Sequence, residues 1–526
     1  MLRGDNARFQ LFGDTMNTTA RIESTGIRGR VQISQETANR LAEAGKDNWF
    51  VARDSQVHAK GKGDLQTYLL TVGSNDKNET SSATGSHVPE KIEDIKLENE
   101  QAHNEMVNSE KTMRLVRWNV DVLLRLLKQV VATRNACAAR ESEDKDASTP
   151  FKAQSVSDGQ TVLDEVKEII SLPDFAQGAG KIDVNKVELD VAAEEQCLEY
   201  VQNIAMMYHA NPFHNFEHAS HVAMSVTKLL SRIIAPTNIK NNKGDSEEAL
   251  AATLHDHTYG ITSDPLTQFA CVFSALIHDV DHPGVPNMQL IKENPCLANF
   301  YREKSVAEQN SVDLAWGLLM DDRFIDLRRT IFATQAERTR FRQLVVNSVM
   351  ATDIMDKDLK LLRNNRWDRA FDPDKRQNED IKTSTDRKAT IVIEHLIQAS
   401  DVAHTMQHWH IYRKWNERLF EEMYKAFKEG RAETDPSTNW YKGEMGFFDF
   451  YIIPLARKLK DCGVFGVSSD EYLNYAVKNR SEWEIKGKEV VEGMIEKISA
   501  KSYGPPVRRL SKMTPPEQAP TENGDQ

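Results

Sequence analysis

From residue 151 to about 500, apolar residues return every three or four positions, in phrases such as TVLDEVKEII, FACVFSALI, RKATIVIEHLIQAS and RLFEEMYKAF. That spacing puts them on one face of a helix, and convincing apolar–polar alternation is absent. The stretch predicts a mainly α, all-helical domain that is larger than a typical single domain. No run of 18 apolar residues occurs anywhere, so no membrane span is encoded. The start, MLRGDNARFQ, lacks the apolar stretch of a secretory signal. Five scattered cysteines without a CxxC pair argue against a disulfide framework or a thiolate zinc finger. A reducing, cytoplasmic setting fits them best.

The flanking segments differ in kind. Residues 1–72 read as mixed α/β, with a helix opening at Thr15–Ile22 and strands at Val31–Ser34 and Thr67–Val72. Residues 73–150 read as a linker that carries one amphipathic helix. Its first part, 73–104, is rich in Ser, Asn, Glu and Lys, the composition of a solvated connection. Met113, Val116, Val120, Leu123, Leu127 and Val130 then form a stripe. The stripe either docks on its own domain or pairs two chains into a homodimer. The segment ESEDKDASTP closes the linker. Residues 501–526 hold five of the 17 prolines and predict a disordered tail. Within it Arg508-Arg509-Leu510-Ser511 has the form of a basophilic kinase site, which makes a kinase acting at Ser511 a candidate partner.

Histidine is where the chemistry concentrates. Eight of 15 histidines lie between positions 209 and 282. In HNFEHASH, His214 and His218 are four apart and would share a helix face, which His221 could join. In ALIHDVDHPGVPN, an apolar helix ends in His278 and Asp279, with His282 four residues after His278. IEHLIQASDVAHT ends another apolar helix at Asp401. Imidazole and carboxylate are the ligands that suit zinc and similar divalent ions, and three helices can bring them together in a bundle core. A lone histidine on an apolar face is more often a packed core residue, and His255-Asp256-His257, before Tyr-Gly, reads as a loop decoy. The ordered combination weighs against coincidence. The net charge of −12 disfavours nucleic acid, yet it allows phosphate chemistry where metals supply local positive charge.

These residues carry a family resemblance. HNFEH (His214–His218), HDVDHPGVPN (His278–Asn287), SVAEQ (Ser305–Gln309), ATDI (Ala351–Ile354), ASDVAH (Ala399–His404) and GFFDF (Gly446–Phe450) occur in the order seen in class I 3′,5′-cyclic nucleotide phosphodiesterases. The resemblance implies an all-helical, HD-type catalytic domain over residues 151–500 and an intracellular signalling role. It implies metal-dependent hydrolysis of cAMP or cGMP to the 5′-monophosphate, by hydroxide activated between two metals. His218, His278, Asp279 and Asp401 match ligands of a tight Zn2+, with Asp279 bridging to Mg2+ or Mn2+. His282, Glu308 and Thr352 match residues that hold metal-bound waters. His214 matches the general acid, and Glu444, Phe447 and His404 match substrate-binding positions. Another HD-type phosphohydrolase, or a silent nucleotide-binding module, is argued against by the later motifs and by the intact ligand set.

The resemblance departs at three places. His221 stands where the family often has aspartate. Glu308 is followed by Gln309-Asn310-Ser311, where many members have two histidines. Glu444 stands where the family usually has a glutamine that reads the purine. An ionised carboxylate only accepts hydrogen bonds, which matches the adjacent N1–H and N2–H of guanine and predicts a cGMP preference. Were Glu444 to face solvent or be protonated, either base would do.

Residues 9–72 resemble the last part of a class III adenylate/guanylate cyclase catalytic domain, through LFGDTMNTTARIESTG, VQISQET and AKGKGDLQTYLL. Asn17 and Arg21 match its transition-state pair, Lys60 its triphosphate lysine and Gln10 a base-reading position. The metal aspartates of that family belong upstream of these phrases, so the fragment is expected to be inactive as given. Similar cyclase–phosphodiesterase fusions are often membrane-anchored, so a longer parent is expected to be.

Overall fold

The computed structural model describes residues 32–43, 49–53, 57–59, 63–70, 91–141, 160–175, 184–233, 247–372 and 379–499. The chain divides into two compact units, Met1–Lys96 and Leu97–Gln526. In the first unit, strands β1 (Gln32–Ser34), β2 (Phe50–Ala52) and β5 (Thr67–Leu70) form an antiparallel sheet with β5 in the centre. Ile33 faces Tyr68 and Val51 faces Leu69 across it. Strands β3 (Val57–Ala59) and β4 (Gly63–Leu65) pair separately. Helix α1 (Gln35–Glu43) buries Ala38. Both predicted strands are present over their described residues. Gln10, Thr15–Ile22, Asn17, Arg21 and Lys60, and Ser511 in the tail, lie outside the described residues.

Helix α2 (Lys91–Glu141) begins inside the segment read as a solvated linker. Its stripe does not wait for a partner chain. Val116, Val120, Leu123, Leu127 and Val130 are buried in the main core of the helical unit. Polar contacts fix the register. Asn119, also buried, donates to Ser220 Oγ at 3.0 Å. Lys111 pairs with Glu217 at 2.6 Å. Arg134 reaches the carbonyls of Thr330 and Ile331 and the Glu337 carboxylate.

The rest of this unit is helical: α3 (Val191–Met207), α4 (Phe216–Ser231), α5 (Glu247–His257), α6 (Pro265–Ile277), α7 (Asn287–Glu293), α8 (Pro295–Phe300), α9 (Val306–Met320), α10 (Ile325–Ile331), α11 (Gln335–Met350) and α12 (Lys357–Phe371). It ends with α13 (Ile381–Asp401), α14 (Trp409–Lys428), α15 (Trp440–Phe447), α16 (Ile453–Asp461) and α17 (Val467–Ser499). Helix α6 is apolar on all sides because it is buried on all sides, and α4 and α11 pack along it. Phe273 sits at its centre between Tyr200 and Phe341, with ring centroids at 5.7 and 5.3 Å.

Two sequence expectations fail. TVLDEVKEII has helical spacing but forms one 3₁₀ turn, Val162–Glu165, and then runs without regular structure. Side chains of other helices take its amides: Lys167 N donates to Asn347 Oδ1 and Ile170 N to Thr390 Oγ1, and just beyond it Leu172 N donates to Asp386 Oδ1. These bonds replace the helical ladder. His255-Asp256-His257, read as a loop, forms the last turn of α5. The loop starts two residues later, where Tyr259 and Gly260 take positive φ.

Phe273→Ala should destabilise the helical unit by about 3–5 kcal/mol, the usual cost of emptying a buried aromatic site. Denaturant unfolding of the full chain measures it, and a loss below ~1 kcal/mol would contradict this core assignment.

Candidate active site

Three helix ends build the centre. Asn215 caps α4 by accepting from His218 N at 3.0 Å, so the cap itself fixes His218 in the first turn. His278 is the C-cap of α6, and Asp279 follows it into a tight loop. Asp401 is the last residue of α13. His218 Nε2 lies 3.0 Å from Asp401 Oδ1 and 3.7 Å from Asp279 Oδ2. His278 Nε2 lies 3.1 Å from Asp279 Oδ2 and 3.4 Å from Asp401 Oδ1.

The donor set fits a divalent cation. The ligand atoms of His218, His278 and Asp401 lie within 4.8 Å of one another. His278 Nδ1 donates to the Ala275 carbonyl at 2.9 Å, so in the neutral ring Nε2 keeps its lone pair. That Nε2 and Asp279 Oδ2 are buried and make no well-aligned hydrogen bond. Buried polar atoms without partners carry a large desolvation cost unless something else satisfies them, and a metal would. Burial works against the charged Asp401 carboxylate, but His218 and His278 beside it hold its carboxyl well below the usual range.

The loop after His278 is shaped to hold these groups. Asp281 takes a left-handed φ of 61° and meets His209 Nε2 at 2.5 Å. Gly284, at φ 73°, passes so close to Asn211 that a Cβ would lie 3.1 Å from its Oδ1. Asn211 in turn donates to the carbonyls of His214 and His282, tying the two histidine segments together.

His214 is not on the α4 helix, as four-residue spacing suggested; it precedes the cap. Glu422 of α14 holds it instead. One Glu422 oxygen accepts from the amides of Phe213 and His214 at 2.9 and 3.0 Å, and the other pairs with His214 Nδ1. Burial disfavours an imidazolium, but the Glu422 charge outweighs it and His214 is raised to about 9. Its ring packs on that of His282, tilted by 33°, with centroids 3.9 Å apart. Burial and the His214 charge push His282 down to about 4. Sequence reading missed Glu422, which sits 208 positions from His214. One faint signal existed: Glu422 is a carboxylate on the inward face of an amphipathic helix.

Of the other predicted positions, Glu308 accepts from Asn287 Nδ2 at 2.9 Å, and burial with the nearby Asp353 charge raises it to about 8. Thr352, beside Asp353, donates its hydroxyl to the Val349 carbonyl, leaving its oxygen lone pairs free. His221 stays outside the cluster, exposed, against Trp415 and 3.8 Å from Glu217. Ser311, in place of a family histidine, donates to the Val280 carbonyl at 2.7 Å and so braces the His278–His282 loop directly. His404 packs on Phe213 and Trp415. Burial and the charge of His218 push it down to about 3.

Glu444 faces the interior. It is 8% exposed, and Tyr412 Oη donates to its Oε2 at 2.7 Å. Burial raises its carboxyl to about 7. Three residues on, Phe447 stacks on Tyr451 at 5.4 Å.

Comparison with known proteins agrees with the motifs. Residues 213–464 match the family described as 3′5′-cyclic nucleotide phosphodiesterase, and residues 3–72 match the adenylate and guanylate cyclase catalytic domain. A probable 3′,5′-cyclic-AMP phosphodiesterase, pde-4, of Caenorhabditis elegans is 29% identical over 285 residues, which is 50% of this chain and 36% of that protein. The 3′,5′-cyclic-AMP phosphodiesterase 4C of Mus musculus is 26% identical over 310 residues, 54% of this chain and 38% of that protein. The match thus spans well under half the length of these two relatives. The crystallised phosphodiesterase domain of a Salpingoeca rosetta rhodopsin phosphodiesterase aligns with a TM-score of 0.44 at 20% identity, covering 60% of this chain and 86% of that one.

The full chain should bind a divalent cation, and Asp401→Ala should weaken it more than about 100-fold, beyond the 10–100-fold typical of residues that only orient ligands. Competition with a metallochromic chelator measures this. Equal affinity in the two proteins would remove Asp401 from the ligand set.

Proposed function

We propose that a chain whose residues 213–464 match the 3′5′-cyclic nucleotide phosphodiesterase family hydrolyses 3′,5′-cyclic nucleotides to nucleoside 5′-monophosphates. The observation that carries this reading is the convergence of His218, His278, Asp279 and Asp401 beside a histidine gripped by Glu422. On this reading residues 151–500 are the catalytic domain and 1–72 the cyclase-like piece. Zn2+ held by His218, His278, Asp279 and Asp401, with Mg2+ or Mn2+ sharing Asp279, would polarise the phosphate oxygens and acidify a water. His282, Glu308 and Thr352 orient water around that position.

In the reaction an oxygen–phosphorus bond forms from water and the bond to the 3′ oxygen breaks. The departing oxygen needs a proton. Glu422 engages His214 Nδ1, so Nε2 delivers that proton and later recovers one from solvent. The carboxylate also fixes the ring plane, which a freely rotating histidine would not keep.

Glu444 and Phe447 take the base. Phe447, already backed by Tyr451, offers a stacking face. Tyr412 uses one of the four lone-pair sites of the Glu444 carboxylate, which leaves both oxygens able to accept from guanine N1–H and N2–H. A protonated Glu444 can donate to a ring nitrogen and so accepts adenine.

With Mg2+ present, the full chain should hydrolyse cyclic nucleotide, and His214→Ala should lower kcat by about 10²–10⁴. Glu422→Gln should lower kcat with little change in KM. Absence of hydrolysis of both cAMP and cGMP by the wild type would overturn the proposal. The base preference should also move with pH. Between about pH 6 and pH 8 Glu444 loses its proton, so the cGMP/cAMP ratio of kcat/KM should rise, and Glu444→Gln should flatten that rise. A ratio that falls with pH would contradict the role given to Glu444.

A further inference from the structure

A second cleft, of about 150 Å³, opens between α12, α13 and the segment that runs from Phe450 into α16. Its walls carry Lys360, Arg363 and Lys458, with His395 at the back and Phe450 and Tyr451 at the side. None of the proposed catalytic residues lines it.

Among the described residues none of these three cations forms an ion pair. Their neutral contacts explain where they sit. Arg363 donates to the Asp353 carbonyl at 3.1 Å, closing the turn after α11. Lys458 donates to Asn364 Oδ1 at 3.2 Å and lies over the Trp367 ring. Those contacts are neutral, and Asp368, whose charge acts on Lys458, forms no ion pair with it among the described residues. Like charges that converge on a partly enclosed, low-dielectric cleft repel one another unless an anion joins them. Burial disfavours the charged Lys458; Asp368 opposes this, and Arg363 and Lys360 add smaller repulsions.

His395 completes the wall. It is 4% exposed, and its Nδ1 donates to the Ile391 carbonyl at 2.8 Å. In the neutral ring Nε2 therefore lacks a proton, and burial with the charges of Lys458 and Arg363 pushes the ring down to about 3. Phe450, 84% exposed, is a large aromatic surface at the same cleft.

We propose that this cleft is an anion site for a phosphate group, separate from the catalytic centre, held by Lys360, Arg363 and Lys458. Ammonium and guanidinium groups in one concave site are the usual recognition chemistry for a multiply charged oxyanion. The source is either free inorganic phosphate or the phosphate of a nucleotide whose base lies on Phe450. The site shares Tyr451 with the base-stacking pair, so it lies one ring away from Phe447. The inference does not depend on the proposed reaction.

Calorimetric titration of the full chain tests it, with chelator present so that metal-held phosphate does not contribute. Inorganic phosphate and AMP are the probes. Wild type should bind one equivalent. Lys360→Glu, a change at an exposed helix position, should weaken binding at least tenfold, and Lys458→Met should do so independently. AMP that binds more tightly than phosphate, with the advantage lost in Phe450→Ala, identifies the nucleotide as the source. Equal affinity for the two identifies the phosphate group alone. No binding by wild type, or binding that both lysine variants retain in full, overturns the site.

Discussion

Two carboxylates and two imidazoles buried at three helix ends are the constraint around which this unit is organised. Asp279 and Asp401 both approach the Nε2 atoms of His218 and His278, and burial penalises the charge each carries. Such a cluster tolerates little displacement, because every group depends on a neighbour for compensation. The surrounding architecture reflects that demand. Helix α6 is buried all round, α4 is capped by the residue that positions His218, and Ser311 braces the loop that carries Asp279. The hydrophobic core fixes where three helix ends meet, and the polar groups make the meeting point chemically specific.

A similar logic holds His214. The group proposed as proton donor stands outside regular structure, where a histidine would otherwise sample several rotamers. Glu422 removes that freedom with both oxygens, one for the backbone and one for the ring. Asn211 adds bonds to two carbonyls. Removing the carboxylate would lose both orientation and charge. His214 and His282, packed ring against ring at a 33° tilt, divide the protons unequally because Glu422 pairs with His214 Nδ1.

The parts legible in sequence were those whose cause is local. An apolar helix that stops at His278-Asp279, and another that stops at Asp401, can be read from spacing alone. So can the stripe from Val116 to Val130. The parts that escaped have distant causes. TVLDEVKEII has the periodicity of a helix, yet Asn347 and Thr390 claim its amides from 180 and 220 positions away. Glu422 looks like one more acidic residue on a helix until the fold brings it to His214. Glu444 is the intermediate case. Its position was readable by resemblance, but whether its carboxylate faced solvent was not, and Tyr412 supplies the answer.

The boundary drawn at residue 151 also changes meaning. By composition, the segment before it is a linker that contains a helix. By packing, α2 is part of the helical unit: its stripe lies in the main core, and Asn119 and Ser220 meet in a buried contact. Ser220 lies two residues after His218 on α4, and Glu217, which Lys111 reaches, lies one residue before it. A chain cut at 151 would expose an apolar face several turns long and leave Glu217 without Lys111, with Arg418 and His221 still beside it. Hydrophobic burial of that extent outweighs the flexibility suggested by the polar residues around it. The folding unit that supports the metal-type cluster therefore includes α2, whose polar contacts reach α4 on both sides of His218.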